Sequence, residues 1–318
     1  MTPELLGNVR RRVGVSRTVV CLAACAACLV GVPSPSAAQM VMNSVDHLSF
    51  DRPESWALKY FTSASLLGGL ETPRTRKPGA VSLGLEVGWL PPLSDAQQLV
   101  GYDGTEAQDL NNAPMFLRPR VAIALPARLS LIVAVVPPVR MFGITPALLA
   151  IAIERPVYET TSWAVGLRGY GQIGRVKGSY TCPETILAFE PGSPGNIDGC
   201  QAASSDTAVL RYAGGEAGIA YRPGVPHRLS PHAAVGLTYM NVAFQVDALT
   251  FDMIDHTRYT SHGVTASASG GISYPLTTRL SLSVDAFYSP LSVRRGPGAP
   301  ARNDGLFNLR ALATYRLR

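Results

Sequence analysis

From residue 80 onward the chain alternates apolar and polar positions with a period of two. Val81, Leu83, Leu85, Val87 and Trp89 fall on one face, and Ser82, Gly84, Glu86 and Gly88 on the other. The pattern returns in Val121-Ile123-Leu125, Leu149-Ile151-Ile153, Trp163-Val165-Leu167, Ala233-Val235-Leu237-Tyr239, Leu280-Leu282-Val284-Ala286-Tyr288 and Phe307-Leu309-Ala311-Ala313-Tyr315-Leu317. Side chains alternate across a strand, so this spacing predicts strands with one apolar face each. A soluble β-sandwich alternates in the same way, and periodicity alone leaves both architectures open.

The spacing between strands separates them. Ten strands are expected, at roughly 81–90, 115–125, 129–137, 147–155, 162–175, 207–221, 231–246, 258–274, 279–290 and 306–317. They are joined by about 24, 3, 9, 6, 31, 9, 11, 4 and 15 residues, so every second connection is short. An antiparallel meander closed into a barrel sorts its connections in this way, with tight turns at one end and long loops at the other. With alternate strands running in opposite directions, Trp163, Tyr221, Tyr274 and Tyr315 fall at the turn end of the apolar face. Trp89, Tyr239, Tyr288 and Phe307 fall at the loop end. Amphipathic rings at both ends of an aliphatic band are expected where a surface crosses two lipid–water boundaries.

Composition fits this picture. Of 318 residues 47% are hydrophobic and only 16% charged, which excludes a disordered tail and a Glu/Lys-rich coiled coil. Apolar residues spread over every second position explain so greasy a chain whose only long apolar run lies at its start. There, Arg10, Arg11, Arg12 and Arg17 precede the apolar stretch Thr18–Val32, and Ser36-Ala37-Ala38 offers a small-residue cleavage site. Residues 1–38 therefore read as a secretory signal, with Gln39 first in the mature chain. A retained anchor and a lipid-attachment box at Leu22-Ala23-Ala24-Cys25 are weaker readings of the same segment. Four of the 28 basic and one of the 22 acidic residues leave with it, so 24 face 21 and the net charge falls from +6 to +3. No basic stripe, Zn-type Cys/His spacing or RNA-binding aromatic motif remains, so nucleic acid is not an expected partner. Cys182 and Cys200 also remain, an even count that favours one disulfide in an exported chain.

On the strand Val81–Trp89, the loop alternation and the terminal strand Phe307–Leu317, the chain resembles a Gram-negative outer-membrane β-barrel protein. The resemblance covers about 240 residues and is one of architecture rather than of a family motif. It implies an all-β fold, an antiparallel transmembrane barrel of about ten strands (8–12 allowed) over residues 80–318, in the cell outer membrane after signal-directed export. Lipid and the barrel-insertion machinery are the partners it implies, although the final residues Tyr315-Arg316-Leu317-Arg318 lack the terminal aromatic such barrels commonly carry.

With the apolar set facing lipid, Glu86, Arg118, Arg120, Glu154, Arg168, Gln172, Glu216, Asp285 and Arg310 are expected to line the lumen. An Arg at mid-membrane depth on the lipid side would cost roughly 2–4 kcal/mol. These residues suit either a salt-bridged network filling a narrow barrel or a polar constriction passing a small solute. Many inward positions are small, among them Gly84, Gly88, Gly166, Gly236, Gly263 and Ser269, and the space they leave must be filled. Residues 39–79 are the candidate filler. Asp51-Arg52-Pro53-Glu54 resembles a capping box, Trp56, Tyr60, Ala64 and Leu67 share a helical face, and Gly68-Gly69 would stop the helix. This short amphipathic helix is expected either to plug the barrel's periplasmic mouth or to lie against its rim.

Catalysis has weaker support. Asp252, Asp255, His256 and His262 cluster near one loop, where an Asp/His pair could activate water in an outer-membrane hydrolase. His232 reads as a hydrogen-bonded lumen residue. No Gly-x-Ser-x-Gly elbow, His-Glu-x-x-His or phosphate-binding loop occurs, and no cofactor is expected. Asp95, Asp103, Glu106, Asp109, Asn111 and Asn112 offer hard oxygen atoms but not calcium-loop spacing, so they read as a polar surface loop and no metal is expected. The expected function is a narrow, porin-like channel or transporter for small solutes. A closed structural or adhesion barrel and a hydrolase are the alternatives.

Overall fold

The alternation is realised as ten antiparallel strands in a computed structural model that describes residues 40–108, 110–111, 114–222, 228–296 and 298–317. The expected signal segment, Asp109 and Asn112 lie outside these residues. The strands are β1 Val81–Trp89, β2 Met115–Ala124, β3 Ser130–Val136, β4 Thr145–Glu159 and β5 Trp163–Gly178. They continue as β6 Asp206–Tyr221, β7 Ser230–Gln245, β8 Arg258–Pro275, β9 Leu280–Ser289 and β10 Leu306–Arg316. Each pairs with the next in sequence, and β10 closes on β1 from Leu309↔Trp89 to Arg316↔Ser82. The strand count and the long–short rhythm of connections are as the sequence predicts. The main difference is length, because β4 and β5 run past the expected 155 and 175 to Glu159 and Gly178, held by mutual register up to Thr145↔Lys177.

The period of two sorts side chains between two environments. Leu85, Leu237 and Val264 point outward, 45%, 63% and 61% exposed, within a band of aliphatic residues that runs round the barrel. Soluble monomers rarely expose contiguous apolar surface on this scale, whereas lipid covers it without penalty. Trp163 and Tyr221 are register partners at the turn end with ring centroids 5.1 Å apart, and Tyr288 pairs with Phe307 at the loop end. Among the described residues no helix is long and apolar enough to cross a membrane.

The N-terminal segment differs from its expectation in three ways. Helix α1 spans Pro53–Ala64, but no capping box forms: Arg52 is the N-cap residue and makes no side-chain cap. Pro53 opens the helix instead, its fixed φ already helical and its missing N–H one fewer donor to satisfy. The helix ends at Ala64, where Ser65 Oγ donates to the Thr62 carbonyl, so Leu67 and Gly68-Gly69 lie beyond it. Nor is one face alone buried. Ser55, Lys59, Thr62 and Ser63 are as enclosed as Trp56 and Tyr60, because α1 lies inside the barrel against β6, β7 and β10.

The chain reaches α1 from the loop end. Met40–Met42 pairs in parallel with Met253–Asp255 in the connection between β7 and β8, and Val45–His47 pairs with Arg258–Thr260 at the start of β8. Beyond α1 the chain continues to the opposite end. Arg222 donates to the Thr72 and Pro73 carbonyls, Thr75 N–H donates to Glu159, and Gly79 N–H donates to the Ala124 carbonyl. The described chain therefore threads the whole lumen before β1 begins. It fills the space left by small inward residues: a Cβ at Gly166 would stand 2.7 Å from Pro73, and one at Gly263 would meet the Phe50 ring.

Candidate functional site: a polar belt and an apolar chamber

Glu86, Arg118, Glu154, Arg168, Gln172, Asp285 and Arg310 are buried within the barrel, and Arg120 and Glu216 are partly buried. Cross-strand register makes them pairs of opposite charge: Glu86 opposite Arg118, Arg168 between Glu154 and Glu216, and Asp285 opposite Arg310. Arg118 Nη2 lies 2.8 Å from Glu86 Oε1, Arg168 Nη2 2.9 Å from Glu154 Oε2, and Arg310 Nη2 3.2 Å from Asp285 Oδ2. Arg120 stands 3.6 Å from Glu86, with its Nε and Nη2 making no hydrogen bond among the described residues.

The same groups clasp the threaded backbone. Arg118 donates to the Ser65 and Leu66 carbonyls, Arg310 to Leu66, and Arg168 to Gly69 and Glu71. Glu216 accepts the Gly69 N–H at 2.9 Å, and Asp285 accepts the Leu70 N–H at 2.9 Å. Tyr212 donates to the Ser65 carbonyl and accepts from Leu67 N–H, while Gln172 donates to Ser65 Oγ. A buried non-helical segment has backbone groups that water cannot reach, and the belt supplies their partners. Gly69 and Leu70 both have positive φ, +69° and +66°. For Leu70 that is a strained conformation, held here by the Asp285 contact.

Above the belt, toward the long loops, lies a cavity of about 370 Å³ between α1 and the wall. Leu58 and Phe61 of α1 face Phe116, Val136, Leu148, Val176, Leu210 and Phe244 across it. Polar residues gather at its mouth: Arg52, Glu54, Tyr102, Glu106, Asp198, Asp255 and Tyr259. Arg52 is already engaged, 3.0 Å from Glu54 and 3.4 Å from Asp103. Glu106 is hydrogen-bonded to Asp198, and partial burial, that bond and the Asp198 charge push its carboxyl up to about 8. Cys182 and Cys200 form a disulfide, Cα–Cα 5.7 Å, that packs with Val246 and Ala248 and closes the loop carrying Asp198.

The chamber is what reasoning from sequence missed. Its signal is in the chain: Leu131–Val136 is apolar on both faces, as are Leu148-Leu149 and Val209-Leu210. A strand facing lipid on one side needs apolar residues there alone, so large apolar residues on the other side mark a dry interior. The expected hydrolytic cluster is not assembled. His256 Nδ1 lies 3.4 Å from Asp247 in an exposed pair, Asp255 accepts from Thr257 N–H, and His262 points outward beside the Tyr239 ring. Asp252 accepts a bond from Gln201. His232 is buried, its Nε2 3.8 Å from Asp285 and its Nδ1 3.5 Å from Ser273. Asn111 bonds both backbone groups of Leu93. Among the described residues no group of His, Cys, Asp and Glu side chains is arranged to hold a metal.

A closed antiparallel barrel with an apolar outer band and a polar interior belt is the architecture of an outer-membrane β-barrel protein. Similar solved structures include Ail, the attachment invasion locus protein of Yersinia pestis, at 11% identity over 76% of this chain and 100% of that one, TM-score 0.31. The Escherichia coli outer-membrane protease OmpT is 11% identical over 78% of this chain and 98% of its own, TM-score 0.39. The Ralstonia pickettii toluene transporter TbuX is 12% identical over 78% and 92%, TM-score 0.35. No protein-family model and no curated protein sequence matches the chain.

Proposed function

We propose that this barrel takes up a small apolar solute from the outside into the chamber between α1 and the wall, as a narrow channel or transporter whose lumen is plugged by residues 43–72. The observation that carries this reading is the apolar cavity of about 370 Å³ inside the outer half of the lumen, a volume within the range of small-ligand sites. A chamber destined to stay empty would lose packing on every wall, whereas an apolar ligand restores it. The charged residues act on the protein's own chain rather than on solute, and solute would cross the belt only when residues 65–71 shift.

Binding of a neutral apolar fluorophore, followed by emission and competed by short-chain alcohols, tests the reading. Leu58→Trp, which fills the chamber, is expected to weaken binding at least about tenfold, and equal binding would sink the proposal. A second reading, a closed barrel whose long loops meet a partner, draws on the tightness with which the belt holds the plug. Deleting residues 43–72 separates the two. Defined channels in a planar bilayer that are larger than those of the intact protein support the plugged conduit, and unchanged conductance supports the closed barrel.

Export by removal of residues 1–38 and insertion by the outer-membrane assembly machinery belong to the same proposal. A mature chain beginning at Gln39, read by mass spectrometry of the membrane fraction, is the expected result.

A further inference from the structure

The apolar-solute reading leaves open which end of the solute meets the chamber's mouth, and the charges there are one-sided. Glu54, Glu106, Asp198 and Asp255 supply four carboxyl groups, and Arg52 is the one basic side chain in the lining. Arg52 is turned away from that role, bonded through Nε and Nη2 to Glu54 and near Asp103. Glu54 is equally occupied, since it also accepts the Asp103 N–H at 2.8 Å. Glu106 and Asp198 bond each other and Asp255 accepts the Thr257 N–H, but none of the three has a Lys, Arg or His partner within ion-pair distance among the described residues. The carboxyl groups come from three separate connections, β1–β2, β5–β6 and β7–β8, and converge at the mouth, where Glu106 is hydrogen-bonded to Asp198.

The rings beside them are suited to the same charge. Tyr102 and Tyr259 stand at the mouth, Phe244 is the cross-strand partner of Tyr259, and Phe116 lines the same wall. An aromatic face attracts a cation and gains nothing from an anion. An ammonium group entering here would meet Asp255 and the proton-sharing Glu106–Asp198 pair, a rim of net negative charge with no basic partner, and π-faces in place of lost water. A carboxylate would meet only like charge, at a cost that rises as the site dries.

Resting on that reading of the chamber, we infer that its ligand is an amphiphilic amine, its apolar body beside Leu58 and Phe61 and its ammonium group at the rim between Glu106, Asp198 and Asp255. The charge pattern thus selects among apolar solutes of one size by their head group. It also fixes their orientation, with the tail pointing toward the belt.

Three compounds on one skeleton test this: 4-phenylbutylamine, 4-phenylbutan-1-ol and 4-phenylbutyrate, titrated by calorimetry into the mature protein in zwitterionic nanodiscs at neutral pH and low salt. The amine is expected to bind about tenfold or more tightly than the alcohol, and the carboxylate most weakly. In Glu106→Gln/Asp198→Asn, with heat-modifiable mobility reporting a folded barrel, the preference for amine over alcohol is expected to shrink toward unity. Alcohol binding as tight as amine, carboxylate binding tightest, or an undiminished preference in the double variant overturns the amine proposal and leaves the apolar chamber standing. No binding by any of the three overturns the chamber reading itself.

Discussion

Arg168 carries more of the interior than any other residue in the belt. It pairs with Glu154 and Glu216 across two strand boundaries and donates to the Gly69 and Glu71 carbonyls of the threaded segment. Replacing it with Met leaves two carboxylates buried without a counter-charge, so Arg168→Met is expected to destabilise the barrel by about 3–5 kcal/mol. The checking measurement is the shift in urea midpoint of refolding into lipid. A smaller loss in Glu154→Gln would show that the penalty comes from stranded charge rather than from a lost bond. At the rim, Glu106 makes a prediction of opposite character. Its carboxyl, raised to about 8 from the usual 4.5, holds a proton in the folded mouth that the unfolded chain releases at lower pH. The contact with Asp198 therefore contributes fully below the unfolded value and is lost as pH rises through about 8. Proteolysis of the loops around 101–108 and 196–199, normalised to a free peptide, should increase from about pH 5 to about 8 and level off above it. In Glu106→Gln that increase should disappear, and a rise of the same size there would place its cause elsewhere.

Among the elements, the strands were legible and the plug only partly so, for a physical reason. A lipid-facing strand must put an apolar residue at every second position from Leu83 to Trp89 and again from Phe307 to Tyr315, and nothing tertiary can override that demand. Helix α1 answers to no such rule. Enclosed all round, it needs no polar face, so the face of Trp56, Tyr60 and Ala64 accounts for three of its ten buried residues. Pro53 starts it locally, but its end at Ala64 falls where the belt takes the Ser65 and Leu66 carbonyls, contacts between distant parts of the chain. The same holds for the loop closed by Cys182 and Cys200, whose pairing was expected but whose packing under Val246 and Ala248 was not. Cross-linking a loop of this size stabilises it by roughly 3 kcal/mol. Cys182→Ser/Cys200→Ser is accordingly expected to leave barrel mobility on electrophoresis unchanged while making residues 183–199 sensitive to protease. Because Asp198 lies in that loop, the double variant should also weaken ligand retention in the chamber.

At the scale of the molecule, the path of the chain decides which surface its beginning occupies. Long connections of a membrane barrel face outward and short turns face the periplasm, and β1 leaves the short-turn end, where Gly79 meets Ala124. A plug entering from the periplasm would leave residue 40 on that same side. Here residues 40–47 instead extend the sheet of the long connection between β7 and β8, with Val41 half exposed beside Ile254. The barrel therefore encloses α1 and residues 65–73, with the described chain before them at one end and β1 at the other. Both cysteines beyond residue 38 are bonded to each other, so a single introduced thiol can report the path. Val41→Cys is expected to react with a membrane-impermeant maleimide on intact cells, whereas Thr278→Cys, in the exposed turn between β8 and β9, should react only after the outer membrane is opened. Labelling of Thr278→Cys alone on intact cells would invert the orientation. Protection of both would place the segment's beginning inside the lumen and remove the threaded path.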